Sequence, residues 1–170
     1  QEESCVGKYG KYAEQARDPE LKNLFRNIQQ EEQKHYESLS MILSGSVPEC
    51  NCNDRSGRDY QPKAVYTAMS SPEDKQHDAF LATDCIGTEK LVSGTYNDDV
   101  FAFGDSGVRK LLADIQIEEQ NHAEMLYKYK NCEWNGIKVR KTGSLCRIAW
   151  IHNWNMFQFD ERKGHFSATY

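Results

Sequence analysis

Residues 29–39 read QQEEQKHYESL and residues 116–126 read QIEEQNHAEML. Each stretch contains Glu-x-x-His, as Glu32 with His35 and as Glu119 with His122. Both stretches also lie inside segments whose apolar residues have helical spacing. A polar pattern that occurs twice within apolar helices indicates a duplicated unit with a polar centre.

The duplication extends over residues 2–39 and 89–126, which align without a gap at an offset of 87 residues. The two segments are identical at 13 of 38 positions. Composition alone would give roughly two or three identities, so the similarity marks a repeated structural unit. The polar positions match better than the apolar ones, which is the reverse of what core packing alone would produce.

Helix start and stop signals predict four long helices, over residues 2–16, 19–43, 72–103 and 106–130. Asp18-Pro19 and Ser71-Pro72 each combine a capping residue with proline at the first helical position. The connector between the second and third helices, residues 44–71, is rich in Gly, Pro, Ser, Asn and Asp. Two helical hairpins joined by one long crossover therefore predict an all-α antiparallel four-helix bundle.

The Glu-x-x-His motifs interrupt the apolar stripes of the second and fourth helices. These stripes are Leu21, Phe25, Ile28, Glu32, His35, Leu39 and Ile42, and Val108, Leu112, Ile115, Glu119, His122, Leu126 and Tyr129. The first helix places Glu2 on the same face as Cys5, Tyr9 and Ala16. The third places Glu89 with Cys85, Val92, Tyr96 and Phe103. Helical stripes face the interior, so four carboxylates and two imidazoles should converge at one depth.

A buried carboxylate without a partner costs several kcal/mol, and four together could not remain ionised without cations. Two divalent metal ions would neutralise them. A single Glu-x-x-His is usually an exposed pair, but its repetition at matching positions, with a Glu 30 residues before each motif, favours metal binding. The predicted metal ligands are Glu2, Glu32, His35, Glu89, Glu119 and His122.

Three further carboxylates lie close to this set along the sequence. Glu3 competes with Glu2 for the ligand position, but Lys90 occupies the repeat position of Glu3 and so favours Glu2. Glu31 and Glu118 are also repeated, yet they point away from the stripe and are expected to be surface residues.

Tyr9 and Tyr96 lie seven residues after Glu2 and Glu89, two turns along the same face. A buried phenol needs a hydrogen-bond partner, and a metal-ligating carboxylate would provide one. Ordinary core tyrosines explain the spacing equally well, and both interpretations stay open at this level.

The pattern of one Glu, then Glu-x-x-His, a long crossover, and the same again resembles the ferritin-like di-iron carboxylate superfamily, with rubrerythrins and bacterioferritins among its members. Whole segments, such as KYAEQARDPELKNLFRNIQQEEQKHYESL, are also similar to the coat-F-type spore coat proteins of endospore-forming Firmicutes. The first resemblance implies a ferritin-like bundle over residues 1–130 and the six ligands named above, with Tyr9 and Tyr96 as proton or electron partners.

The resemblances imply iron as the bound metal, manganese next, and zinc as a substitute. They lead to three functional hypotheses. In the first hypothesis, the chain is an oxidoreductase that acts on O₂ or peroxide. In the second, it is a structural coat component with a vestigial or stabilising metal site. Iron storage is disfavoured because no short fifth helix is evident. Homo-oligomers or coat-layer proteins are the expected partners, in the spore coat or the mother-cell cytoplasm.

Two features depart from the family pattern. The first helix has one residue before Glu2, so it is expected to be truncated, with Glu2 at a fraying end. No paired CxxC motif is present to serve as an electron donor. Cys50 and Cys52 are expected in an irregular surface connector, where they could bind metal, pair with other chains or remain inert.

Residues 131–170 form an aromatic and basic tail whose structure the sequence does not predict. Aromatic residues among cations can bind single-stranded nucleic acid. The net charge of −5 argues against such a partner and against an anionic membrane. Packing on the bundle or on a neighbouring subunit is favoured instead. No apolar run approaches the roughly 20 residues of a membrane span, and no signal peptide is visible.

Overall fold

The computed structural model describes residues 1–49, 55–63, 71–134, 157–160 and 165–168. The chain divides into two compact units, Gln1–Trp134 and Asn135–Tyr170. The elements of the first unit are α1 (Glu2–Gln15), α2 (Pro19–Leu43), α3 (Ser56–Asp59), α4 (Pro72–Asp99) and α5 (Ser106–Trp134). In the second unit β1 (Phe157–Asp160) pairs antiparallel with β2 (His165–Ala168), with Phe157 opposite Ala168. The predicted all-α class is confirmed for the first unit.

The helix boundaries follow the local capping chemistry. The Asp18 side chain accepts a hydrogen bond of 3.0 Å from the backbone N–H of Glu20. Ser71 and Asp74 form a reciprocal capping box at the start of α4, with bonds of 3.2 and 3.3 Å. Gly45 has a φ of 89° just beyond α2, a left-handed conformation that glycine adopts without steric cost.

Three details differ from the predicted boundaries. Helix α4 ends at Asp99 rather than at residue 103, and the two aspartates of its last turn interact unfavourably with the helix dipole. Helix α5 continues to Trp134 instead of ending at residue 130, and the short helix α3 lies within the predicted connector. Cys50 and Cys52 lie outside the described residues, as does most of the tail.

The four long helices pack as two antiparallel hairpins, α1 with α2 and α4 with α5. Side-chain contacts join the hairpins to each other. Tyr12 of α1 donates a hydrogen bond of 2.8 Å to Asp84 of α4. His35 of α2 lies against Glu118 of α5. Along the part of the chain described here, no helix has both the length and the apolar character needed to cross a membrane.

The apolar core confirms most of the predicted stripe positions and corrects three of them. Its largest fully buried apolar side chains are Tyr9, Leu21, Phe25, Ile28, Leu111, Ile115, Leu126 and Tyr129. Leu39 and Ile42 are only half-buried, near the end of α2. Phe103 is 42% exposed because α4 has already ended before it.

A buried carboxylate connects the two hairpins at the turn between α1 and α2. Asp78 of α4 accepts hydrogen bonds from the backbone N–H groups of Arg17, at 2.9 Å, and Asp18, at 2.7 Å. Asp18 in turn accepts a 3.0 Å bond from the Tyr129 hydroxyl of α5. Both aspartates are fully buried, so this network fixes one end of the first unit.

Replacing Asp78 by Ala should lower the free energy of unfolding by roughly 2–3 kcal/mol, because two backbone N–H groups lose a charged acceptor. Asp98, which is exposed near the end of the same helix, is the matched control. Its replacement by Ala should change the free energy by less than about 0.5 kcal/mol. Urea denaturation followed by circular dichroism measures both values, and equal midpoints for the two variants would contradict the role given to Asp78.

Candidate metal centre

The six predicted ligands come together in the interior of the first unit, each from the helix predicted to carry it. The residues are Glu2 from α1, Glu32 and His35 from α2, Glu89 from α4, and Glu119 and His122 from α5, and none is more than 3% exposed. Their burial follows from helical geometry, because each continues an apolar stripe that faces the core.

The ligand atoms form two groups of four. One group is Glu2, Glu32, His35 and Glu119, and the other is Glu32, Glu89, Glu119 and His122. Within each group, one ligand atom from every residue lies within 4.8 Å of the others. Glu32 and Glu119 belong to both groups and would be shared if each group held a cation, while Glu2 and Glu89 each belong to one group.

The histidines reach across from one hairpin to the other. His35 Nδ1 lies 3.1 Å from Glu119 Oε1, and His122 Nδ1 lies 3.0 Å from Glu32 Oε1. The two rings are stacked, with centroids 5.8 Å apart. Since each imidazole faces a carboxylate of the opposite hairpin, neither hairpin could form the centre alone.

Eight buried atoms of this cluster make no hydrogen bond within the described part of the chain. They are both carboxylate oxygens of Glu32 and of Glu119, Oε2 of Glu2 and of Glu89, and Nδ1 of His35 and of His122. Buried polar atoms are nearly always paired in proteins, so this concentration requires an explanation. Every one of the eight is a lone-pair donor of a type that coordinates divalent metals.

The two remaining oxygens of the outer carboxylates are held by tyrosines. The Tyr9 hydroxyl of α1 donates a hydrogen bond to Glu89 Oε1, and the Tyr96 hydroxyl of α4 donates to Glu2 Oε1. Both tyrosines are buried. Burial, reinforced by the neighbouring carboxylates, raises the pKa of each phenol well above its usual range, so both remain protonated donors.

Without metal, the cluster must hold protons to limit the repulsion between its carboxylates. Burial and the neighbouring Glu32 raise the pKa of Glu2 to about 7. Burial and the charge of Glu89 raise the pKa of Glu119 well above its usual range. Burial also acts to raise the pKa of Glu89, but polar contacts with His122, Glu119 and Tyr9 outweigh it and leave that pKa lowered.

His122 shows the same competition. Its burial favours the neutral ring, yet its contacts with Glu32 and Glu89 outweigh burial and raise the pKa of His122 to about 10. Protons therefore partly take the place of cations here. Four carboxylates and two imidazoles with converging lone pairs fit a pair of divalent ions bound by oxygen and nitrogen.

Two expectations about individual carboxylates are corrected by these contacts. Glu2 is not on a fraying end, because it is 3% exposed and is held by Tyr96 from the neighbouring hairpin. Glu118 is not a surface residue, because it is 9% exposed and its Oε2 lies 2.8 Å from His35 Nε2. Glu3 is exposed, in agreement with the choice of Glu2.

Glu118 lies beside the apolar stripe of α5 and not on it, so the stripe does not predict its contact with His35 of another helix. A sequence signal does distinguish Glu118 from Glu31. Glu31 has Lys34 three residues later, and the two form a 2.8 Å ion pair on the surface. The residue three positions after Glu118 is Asn121, which cannot provide that ion pair.

Part of the second hairpin is similar to a known protein family. Residues 77–131, which cover most of α4 and α5, match the family model described as the Coat F domain. No curated protein and no solved structure is detectably similar to the chain. The matched segment contains Glu89, Glu119 and His122, three of the six residues of the candidate centre. The second hairpin is therefore similar to the Coat F domain found in spore coat proteins.

Proposed function

We propose that this chain is a ferritin-like protein that binds two divalent metal ions and is associated with the spore coat. The observation that carries the metal proposal is the set of eight buried ligand atoms that make no hydrogen bond within the described residues, in two groups that share Glu32 and Glu119. The Coat F match over residues 77–131 supports the association with the spore coat.

The ferritin-like arrangement is supported by the contacts that cross between the hairpins. Glu32 faces His122, Glu119 faces His35, and each tyrosine supports the outer carboxylate of the opposite hairpin. This is the relation expected of two copies of one helical hairpin packed about an approximate twofold axis, with a Glu and a Glu-x-x-His motif contributed by each copy.

Iron is the proposed metal, manganese the next, and zinc a substitute in protein produced without them, because carboxylate and imidazole donors suit all three. Bound iron or manganese would supply redox chemistry toward O₂ or peroxide. The chain itself would hold the ions with its carboxylates, exclude bulk water through burial, and keep a proton on each phenol. Tyr9 and Tyr96 are thus the proposed proton or electron partners of the centre.

A structural coat component whose metal site is stabilising or vestigial is the second candidate, and the Coat F match favours it as much as the first. Metal content alone does not separate the two. Elemental analysis of natively isolated protein, followed by assays of peroxide and Fe²⁺ turnover, does. Metal with turnover supports the oxidoreductase, metal without turnover supports the structural component, and native protein free of metal contradicts the metal proposal.

Replacing Glu119 by Ala should weaken the binding of both ions, because its carboxylate is shared between the two groups. Replacing Glu2 by Ala should weaken one ion only, since Glu2 belongs to one group. Glu3→Ala is the matched control, as this neighbour is exposed and should retain both ions. Metal per chain, measured by elemental analysis after dialysis against Mn²⁺, is the readout. Identical metal content in the Glu119 and Glu3 variants would contradict the assignment of Glu119 as a metal ligand.

The metal-free protein should become less stable as the pH rises. The pKa of Glu2 is about 7 in the folded chain, against 4.5 ordinarily, so the folded state binds more protons between these values and loses stability across them. The raised pKa of His122, about 10 against 6.5, extends the loss toward pH 10. The lowered pKa of Glu89 contributes stability to the folded state above about pH 4.5, and this contribution is lost at lower pH as the carboxylate is protonated.

Thermal denaturation of metal-free protein from pH 5 to 9 tests this dependence. Glu2→Gln should flatten the decline between pH 4.5 and 7, because the amide does not titrate. Metal ions bind deprotonated ligands, so the stabilisation that Mn²⁺ provides should grow over the same range. A metal-free protein that is more stable at pH 8 than at pH 5 would contradict the assignment of these shifts.

Replacing Tyr9 or Tyr96 by Phe should leave two ions bound while slowing turnover of peroxide or Fe²⁺ by about 10-fold or more, if the phenols relay protons. Tyr12→Phe is the control, because this hydroxyl is bonded to Asp84 outside the metal centre. Stopped-flow absorbance measures the rates, and elemental analysis verifies the metal content. Unchanged rates in both site variants would leave the tyrosines as packing residues.

A further inference from the structure

The two halves of the candidate centre are the ligand group that contains His35 and the one that contains His122. They differ in what contacts the Nε2 atom of the histidine. His35 Nε2 lies 2.8 Å from Glu118 Oε2, and both side chains are buried. The Glu118 carboxylate can accept a hydrogen bond from Nε2–H of His35. Nδ1 of the same ring faces the group formed with Glu2, Glu32 and Glu119.

The internal repeat supplies the comparison. Glu31 occupies the position equivalent to Glu118, just as His122 is equivalent to His35. The Glu31 side chain is 41% exposed and pairs with Lys34 at 2.8 Å. The close carboxylate contacts of His122 with Glu32 and Glu89 both involve Nδ1, and no carboxylate of the described segments lies within ion-pair distance of its Nε2.

Other supports are common to the two halves. Each outer carboxylate receives a hydrogen bond from a tyrosine of the opposite hairpin, and the two shared carboxylates belong to both groups. The carboxylate contact of His35 Nε2 is the difference that bears on the orientation of the histidines. A carboxylate behind a metal-binding imidazole fixes the ring orientation and tautomer and strengthens its lone pair.

We infer that the two metal positions are unequal, and that the one bounded by Glu2 and His35 binds a divalent cation more tightly because Glu118 orients His35. This inference rests on the proposed metal-binding function. Glu118 acts as a positioning residue, since it contacts the imidazole of His35 and belongs to neither ligand group.

Calorimetric titration of the full chain with Mn²⁺ tests the inference. The wild-type protein should bind two ions in two resolved steps. Glu118→Ala should weaken the tighter step by about 10–100-fold and leave the other step in place. Glu118→Gln, which can still accept the N–H bond but carries no charge, should weaken the same step less and guards against loss of folding. The matched control Glu31→Ala should change neither step by more than about twofold, because surface ion pairs contribute little.

Nitrogen-15 NMR of the metal-free histidines gives a readout that a purely structural role would not move. The Nε2 signal of His35 should show the hydrogen bond to Glu118 in the wild-type protein and lose it in Glu118→Ala, while the signals of His122 stay unchanged. Two equal Mn²⁺ steps in the wild type, or equal effects of the Glu118 and Glu31 variants, would overturn this inference but not the proposed metal binding. A wild-type chain that binds no Mn²⁺ would overturn the proposed function together with it.

Discussion

The burial of four carboxylates and two imidazoles in one small volume is the constraint on which the first unit depends. Each of these groups is at least 97% buried, and eight of their ligand atoms make no hydrogen bond with the described chain. Like charges at such distances resist ionisation, so the folded state must recruit cations or protons. The long helices, the repeated hairpin and the supporting tyrosines all serve to hold this unfavourable arrangement in place.

Interactions elsewhere in the first unit offset the free-energy cost of burying these ionisable groups. Fully buried side chains such as Phe25, Ile28 and Leu126 continue the apolar stripes on either side of the polar residues. At the turn between α1 and α2, Asp78 accepts a hydrogen bond from the backbone N–H of Asp18, and Asp18 accepts one from the Tyr129 hydroxyl. Apolar packing and these satisfied carboxylates therefore supply the rigidity that a coordination site needs.

The sequence was sufficient to predict the helices and the six converging residues because both follow from periodicity and from the repeat. Helix α2 has the predicted bounds, Pro19–Leu43. The apolar stripe of α5 does not predict the burial of Glu118, because Glu118 lies one position from the stripe and the approach of α2 brings His35 to it. The position of Glu2 depends in the same way on another helix. Few residues precede Glu2 along the chain, but Tyr96 of α4 holds its carboxylate.

The crossing of contacts between hairpins has a consequence for how such a chain could arise. One hairpin contains a Glu, a Glu-x-x-His motif and a tyrosine, but their partners lie on the other hairpin. A single ancestral hairpin could thus have formed the centre only as a homodimer, in which identical subunits present identical surroundings to both histidines. Two copies within one chain need not keep that identity. Glu31 and Glu118 are the same residue at equivalent positions, but Lys34 accompanies the first and Asn121 the second, and the surroundings of the two histidines differ accordingly.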